Sequence, residues 1–73
     1  MTRDQAVAIN NAAGAMVCAW REAVRRRRGM TEFHGGPDSM IVPEDMRELG
    51  RAIMRHRQSI ADALVVAMGG PFI

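Results

Sequence analysis

The chain has 73 residues and a formal net charge of +2, and its ten basic residues are all arginine. This length accommodates one small domain with a marginal hydrophobic core, for which oligomerisation is a common remedy. The small net charge is not typical of a dedicated nucleic-acid-binding domain, and a single cysteine excludes a disulfide scaffold within the chain.

The composition favours helices over strands. Alanine and methionine are plentiful, whereas the chain has two Phe, one Trp and no Tyr. No apolar run reaches the roughly 18 residues of a membrane span, and the first ten residues lack the apolar core of a signal peptide. We therefore expect an all-α cytoplasmic protein without a membrane partner.

The first helix is predicted over 3–28. Thr2, followed three residues later by Gln5, forms a capping-box pattern, and Gly29 supplies the residue type that ends many helices. Apolar residues at helical spacing form the stripe that we expect to face the core. They are Ile9, Ala13, Met16, Val17, Trp20 and Val24.

The opposite side of this helix carries small and uncharged residues. Gly14 inside a helix costs about 1 kcal/mol relative to alanine, and close packing against a second backbone is a physical reason to tolerate it. We expect this side, together with the end of the second helix, to be a packing face for a second copy or another protein. Its residues are Val7, Asn11, Gly14, Cys18, Val65 and Met68. Cys18 is expected to be buried there as a small apolar residue.

Residues 29–42 are predicted to form a loop. The segment Gly35-Gly36-Pro37-Asp38 is a turn signal. Because a structureless connection of this length is near the upper limit in compact domains, we expect part of the loop to pack on the helices. The residues expected to do so are Phe33, Met40 and Ile41.

The second helix is predicted over 43–68. Pro43 suits the first helical position, and the two acidic residues after it suit the positive end of the helix dipole. The apolar stripe consists of Met46, Leu49, Ile53, Ile60, Leu64 and Ala67. His56 lies at the edge of this stripe, where a packed histidine is expected, and Met54 is expected to point outward.

Two long helices joined by a loop predict a single domain, an antiparallel two-helix hairpin, with a tail at 69–73. We expect the tail to fold back on the hairpin, and the alternative is a short peptide ligand for a domain that binds an extended strand. The segment "ADALVVAM" at 61–68 is apolar on nearly every side, whereas a hairpin covers only one stripe per helix. We therefore expect two hairpins to pair into a homodimeric four-helix bundle. A monomer with an exposed alanine-rich face, and a face kept for another protein, are the alternatives.

Arginines dominate two stretches. A run of four occupies the last turn of the first helix, where cations match the negative end of the dipole. Arg27 in this run lies in line with Trp20 and Val24, so either the apolar seam ends at Val24 or Arg27 reaches past it to a carboxylate. Three more arginines, spaced four apart, form a ridge on the second helix among acidic neighbours. The candidate contacts with phosphate or an acidic protein surface are Arg25, Arg26, Arg27, Arg28, Arg47, Arg51 and Arg55.

The sequence contains no motif for catalysis. It has no glycine-rich phosphate loop and no nucleophile beside a base, and the spacing of its Cys and His residues matches no metal site. We expect no enzyme, no cofactor and no metal.

The pattern instead favours a small non-catalytic protein-binding module, an adaptor or inhibitor of a larger machine. A phage or mobile-element accessory protein, such as an antagonist of host defence, is one form that fits the small size and arginine-only basic content. The alternative is a basic helical protein that contacts DNA or RNA phosphates through the arginine run.

Overall fold

A computed structural model describes residues 2–67 and 69. Helix α1 spans Arg3–Arg28 and helix α2 spans Glu44–Ala67, and the two pack against each other as an antiparallel hairpin. No strand is present among these residues, so the predicted all-α hairpin is confirmed. Met68 and residues 70–73 lie outside the described residues. Residues 70–73 make up most of the predicted tail.

Both ends of α1 are capped as the sequence predicts. The Thr2 hydroxyl accepts a hydrogen bond from the Gln5 backbone N–H at 3.2 Å, and the Gln5 side chain accepts one from the Thr2 N–H at 2.9 Å. At the other end Gly29 has a left-handed backbone with φ of 65°, and its N–H donates to the Arg26 carbonyl. Glycine adopts this conformation without steric cost, so local chemistry fixes both limits of the helix.

Helix α2 begins one residue after its predicted start. Pro43 is buried just before the helix, and its carbonyl accepts a hydrogen bond from the Met46 N–H at 2.9 Å. Glu44 and Asp45 occupy the first turn, where the helix dipole favours acidic side chains. The helix is described to Ala67, and the predicted last residue lies outside the described range.

The two helices approach most closely where the ring of Trp20 lies against Gly50. A Cβ atom on Gly50 would lie only 2.6 Å from Cε2 of the indole, so only glycine fits at this position. The indole Nε1–H donates to the Met46 carbonyl at 3.0 Å, which satisfies the polar atom of a side chain that is only 3% exposed. Because Met46 lies one helical turn before Gly50, the hydrogen bond and the close packing involve the same turn of α2.

The loop closes one end of the core. Phe33 packs edge-to-face on Trp20, with ring centroids 6.0 Å apart. Val42, at the end of the loop, is completely buried, as is Val24 of α1, and the four residues form one cluster. The core of the hairpin is therefore concentrated at its loop end.

The expectation for the loop is right for Phe33 and wrong for Met40 and Ile41. Met40 is 89% exposed and Ile41 is also exposed. In the turn before α2 the Val42 N–H donates to the Ser39 carbonyl at 3.1 Å. This turn places Val42 in the core cluster and leaves Met40 and Ile41 exposed.

The contact at Gly50 also sets the rotation of α2 about its axis. The inward side of α2 runs through Gly50 and Leu64, with Met54 half-buried against the core cluster. Leu49 is 57% exposed and His56 is exposed. The predictions that Leu49 and His56 pack inward and that Met54 points outward are therefore wrong for one shared reason, the close approach at Gly50.

On α1 the predicted core stripe is only partly buried. Val17, Trp20 and Val24 are buried as predicted, together with Ala13. The predictions for Ile9 and Met16 are wrong, since both are exposed at 40% or more. A single partner helix covers a narrow line, and these two residues lie about 60° around the helix from the buried line.

The contact between Trp20 and Gly50 predicts opposite effects for two glycine substitutions. Gly50→Ala is expected to lower the free energy of unfolding by about 2 kcal/mol, because the new methyl group overlaps the indole. Gly14→Ala is the matched control, since its Cβ would meet only the Arg57 Nε at 3.9 Å, and it is expected to raise stability by up to about 1 kcal/mol. Urea unfolding followed by circular dichroism measures both, and a Gly50→Ala protein as stable as wild type would contradict the packing.

Candidate functional site

The arginine run at the end of α1 is engaged within the chain. The Arg25 Nε donates to Glu22 at 2.8 Å, and a second nitrogen of Arg25 donates to the Met30 carbonyl at 3.0 Å. Arg26 donates to the same Glu22 carboxylate at 3.1 Å. The first half of the run therefore ties the helix end to its own preceding turn and to the start of the loop.

The second half of the run reaches across to α2 and the loop. Arg27 pairs with Asp45 at 3.2 Å, which is the second of the two alternatives that the sequence leaves open, that it reaches past the apolar seam to a carboxylate. Arg28 donates to the Ile41 carbonyl at 2.6 Å. All four members of the run thus have partners within the hairpin.

Arginines from both helices hold the loop by its backbone. The Arg21 Nε donates to the Gly35 carbonyl at 3.2 Å, and the Arg47 Nε donates to the Val42 carbonyl at 3.3 Å. Loop carbonyls that lack helix or sheet partners need such donors. The arginines that bond to loop residues are Arg21, Arg25, Arg28, Arg47 and Arg51.

The predicted ridge on α2 is a network of mixed charge. Arg51 donates to Asp38 in the loop at 2.8 Å and lies 3.5 Å from Glu48. Arg55 also pairs with Glu48 at 3.5 Å. The hydrogen bond to Asp38 raises the pKa of the Arg51 guanidinium. Interleaved acidic and basic side chains are typical of a solvated helix face.

Glu22 is the carboxylate most affected by these arginines. The hydrogen bond from Arg25 holds the pKa of Glu22 at about 2, below its usual value of 4.5. Desolvation of the carboxylate opposes this shift in pKa, and the charge of Arg25 and the contact with Arg26 add to it. Glu22 therefore stays ionised throughout the physiological range and is a structural counter-ion.

One side of the hairpin presents an exposed groove that we call the apolar face. It is lined by residues of both helices above the ring of Trp20: Met16, Ala19, Ala23, Met46, Leu49 and Ile53. None of them carries a charge. Leu49 is 57% and Met16 is 43% exposed, so large side chains that the sequence predicted to be core lie open on this surface.

The apolar face extends along α1 through two further uncharged residues. Ala12 and Ile9 precede Met16 at helical spacing, and both are exposed. An exposed surface of this length without a charged side chain is unusual for a soluble monomer and is typical of an interaction site.

The other side of the hairpin has a second groove that we call the basic groove. Near the open end of the hairpin it is lined by Arg3, Ala6, Val7, Asn10, Ala61, Leu64 and Val65, and from Asn10 it continues along Asn11, Gly14, Ala15, Val17, Cys18, Arg21, Met54 and Arg57. These residues include three arginines and no acidic side chain.

The basic groove brings together the packing face predicted from the sequence. Val7 and Val65 meet at the open end, and Asn11, Gly14 and Cys18 lie further along α1. The predicted burial of Cys18 is wrong, because its side chain is exposed in this groove. Met68, the remaining member of the predicted face, lies outside the described residues.

The described residues contain no group of Cys, His, Asp and Glu side chains that could hold a metal ion. None of the helices in this part of the chain is long and apolar enough to span a membrane. Comparison with models of protein families, with curated proteins and with solved structures finds no match.

The low pKa of Glu22 predicts how stability depends on pH. A carboxylate whose pKa is lower in the folded state stabilises the fold above its unfolded pKa near 4.5, and this contribution is lost as the pH falls towards 2. Glu22→Gln should be less stable than wild type at pH 7 and should lose less stability between pH 4.5 and 2.

Thermal unfolding across this pH range measures the difference. Glu32→Gln is the control, because Glu32 is exposed and its ion-pair partner among the described residues is the exposed His34, at 3.2 Å. Identical pH profiles for Glu22→Gln and wild type would contradict the assigned role of Glu22.

Proposed function

We propose that this chain is a small non-catalytic protein-binding module, an adaptor or inhibitor of a larger machine, that acts by docking protein helices on its apolar face. The observation that carries the proposal is the exposed, uncharged groove lined by Met16, Leu49 and Ile53. Burial of such a surface against another protein releases about 25 cal/mol for each Å² of apolar area, and no competing charge has to be desolvated.

The arrangement of the arginines favours protein binding over nucleic-acid binding. Arg27 and Arg28 are turned towards Asp45 and the loop, and Arg25 and Arg26 share Glu22. A phosphate clamp would have to break these internal contacts before it formed new ones. The ridge on α2 interleaves acidic side chains that would repel a phosphate backbone.

We further propose that the occupant of the apolar face is a second copy of the chain, so that two hairpins form a four-helix bundle. Both helices contribute apolar residues at spacings of three and four: Ala12, Met16, Ala19 and Ala23 on α1, and Met46, Leu49 and Ile53 on α2. This spacing produces the seam by which helices pack in bundles, and the short alanine side chains permit close approach.

A charge placed in the apolar face tests the pairing. Wild-type protein is expected to have twice the chain mass of 8.1 kDa in sedimentation or light scattering, and Leu49→Arg is expected to be a helical monomer because the arginine would be buried without a partner. Met40→Arg is the matched control, since Met40 is 89% exposed and does not line the face.

The outcomes distinguish protein binding by the apolar face in general from pairing with a second copy. A dimer that persists in Leu49→Arg would show that another surface pairs the chains. A monomeric wild-type protein would contradict self-association, and the apolar face would then be the docking site for a helix of a different protein.

A further inference from the structure

The basic groove carries a second inference, which does not depend on how the apolar face is occupied. We propose that the basic groove binds an acidic amphipathic helix of another protein, with carboxylates of that helix on Arg57 and Arg3 and its apolar side against Leu64 and Met54. We infer an acidic partner from which arginines of the chain already have partners within the hairpin.

Eight of the ten arginines have a hydrogen-bond or ion-pair partner within the described part of the chain. The other two are Arg3 and Arg57, for which no partner is present among residues 2–67 and 69. Both line the basic groove. The two arginines that have no partner among the described residues thus lie on the same surface.

Arg57 extends across the groove towards Gly14. Its Nε lies 3.9 Å from the point that a Cβ on Gly14 would occupy, so the arginine extends towards α1 where α1 has no side chain. Asn10 and Asn11 line the same part of the groove. A planar guanidinium binds a carboxylate through two parallel hydrogen bonds, and asparagine amides donate to the same type of oxygen.

The lining of the groove is positively charged. It includes Arg3, Arg21 and Arg57 but no aspartate or glutamate. Glu22 and Glu32 line a neighbouring depression that adjoins the groove at Cys18 and Arg21, whereas no acidic residue lines the part that contains Arg3 and Arg57. This part of the groove is complementary to an acidic partner.

The floor of the groove selects a helix with an apolar side over a nucleic acid. Val17, Ala6 and Leu64 are buried at its base, and Met54 is half-buried. A phosphate backbone offers nothing that would cover this apolar floor, whereas an amphipathic helix fits between α1 and α2 as a third helix.

The spacing of the two arginines defines the spacing of the acids. Arg57 lies level with Gly14, which is eleven residues from Arg3 along α1, or about 16 Å at 1.5 Å per residue. Two glutamates eleven residues apart lie within about 20° of each other around a helix. A docked helix with this spacing therefore presents one carboxylate to each arginine.

The experiment uses a fluorescein-labelled 18-residue helical peptide rich in alanine and leucine, with two glutamates eleven residues apart, and an otherwise identical peptide with glutamines at both positions. Fluorescence anisotropy at low salt measures the affinity of the full chain for each. We expect the glutamate peptide to bind more tightly than the glutamine peptide, by about tenfold for each glutamate that pairs with an arginine of the groove.

Variants locate the binding. Arg57→Gln is expected to weaken binding of the glutamate peptide about tenfold. Arg55→Gln removes the same charge from a neighbouring position outside the groove, where Arg55 pairs with Glu48, and is expected to leave the affinity unchanged. Leu49→Arg is also expected to bind normally, which separates this result from the fate of the apolar face.

Three results would overturn the proposal: equal affinity for the two peptides, an Arg57→Gln variant that binds like wild type, or an equal loss in Arg55→Gln. The alternative partner is tested with a labelled 30-base-pair duplex. If the duplex displaces the peptide from the wild-type chain and binds the Arg57→Gln variant more weakly than wild type, the groove is a phosphate site and the proposal is wrong.

Discussion

The contact between the indole of Trp20 and the bare backbone of Gly50 determines how the two helices face each other. The hydrogen bond from Nε1 to the Met46 carbonyl fixes the ring along α2, and the absence of a Cβ on Gly50 fixes its depth. Once this contact is made, α2 can have only one rotation about its axis. Leu49 is then turned to the apolar face and Met54 to the basic groove, so both candidate binding surfaces depend on one glycine.

The arginines supply hydrogen bonds to loop carbonyls that have few other donors nearby. A two-helix protein with a long connecting loop has many loop carbonyls without a sheet or helix to satisfy them. Arg21, Arg28 and Arg47 donate to such carbonyls. Two members of the arginine run, Arg25 and Arg28, also bond to loop carbonyls, and the other two pair with carboxylates. Arg3 and Arg57, for which no partner is present among the described residues, lie in the basic groove.

The parts of this fold that are determined locally were predictable from the sequence. The capping box of Thr2 and Gln5, the left-handed Gly29 and the start of α2 after Pro43 depend on neighbours within a few residues. The helix rotations were not predictable from hydrophobic spacing alone, because they depend on contact between Trp20 and a glycine 30 positions later. A glycine inside an otherwise regular helix indicates close packing, and the sequence contains this pattern at Gly50 as well as at Gly14.

The same reasoning explains the mixed result for the binding surfaces. The small residues Val7, Asn11, Gly14 and Cys18 do line one groove as a group, since their shared side of α1 follows from helical periodicity alone. The apolar face was not foreseen as a surface, because its large residues had been assigned to the core. Periodicity identifies an apolar stripe but does not show how much of it a single neighbouring helix covers.

We propose that the hairpin becomes complete when a second copy covers its apolar face. The most direct test is the midpoint of urea unfolding of the wild-type chain at protein concentrations from about 1 to 100 μM. If folding and pairing are coupled, each tenfold rise in concentration stabilises the dimer by about 1.4 kcal/mol, and the midpoint moves to higher urea. A midpoint that is the same at every concentration would contradict the claim and would show that the hairpin folds as a monomer with its apolar face open.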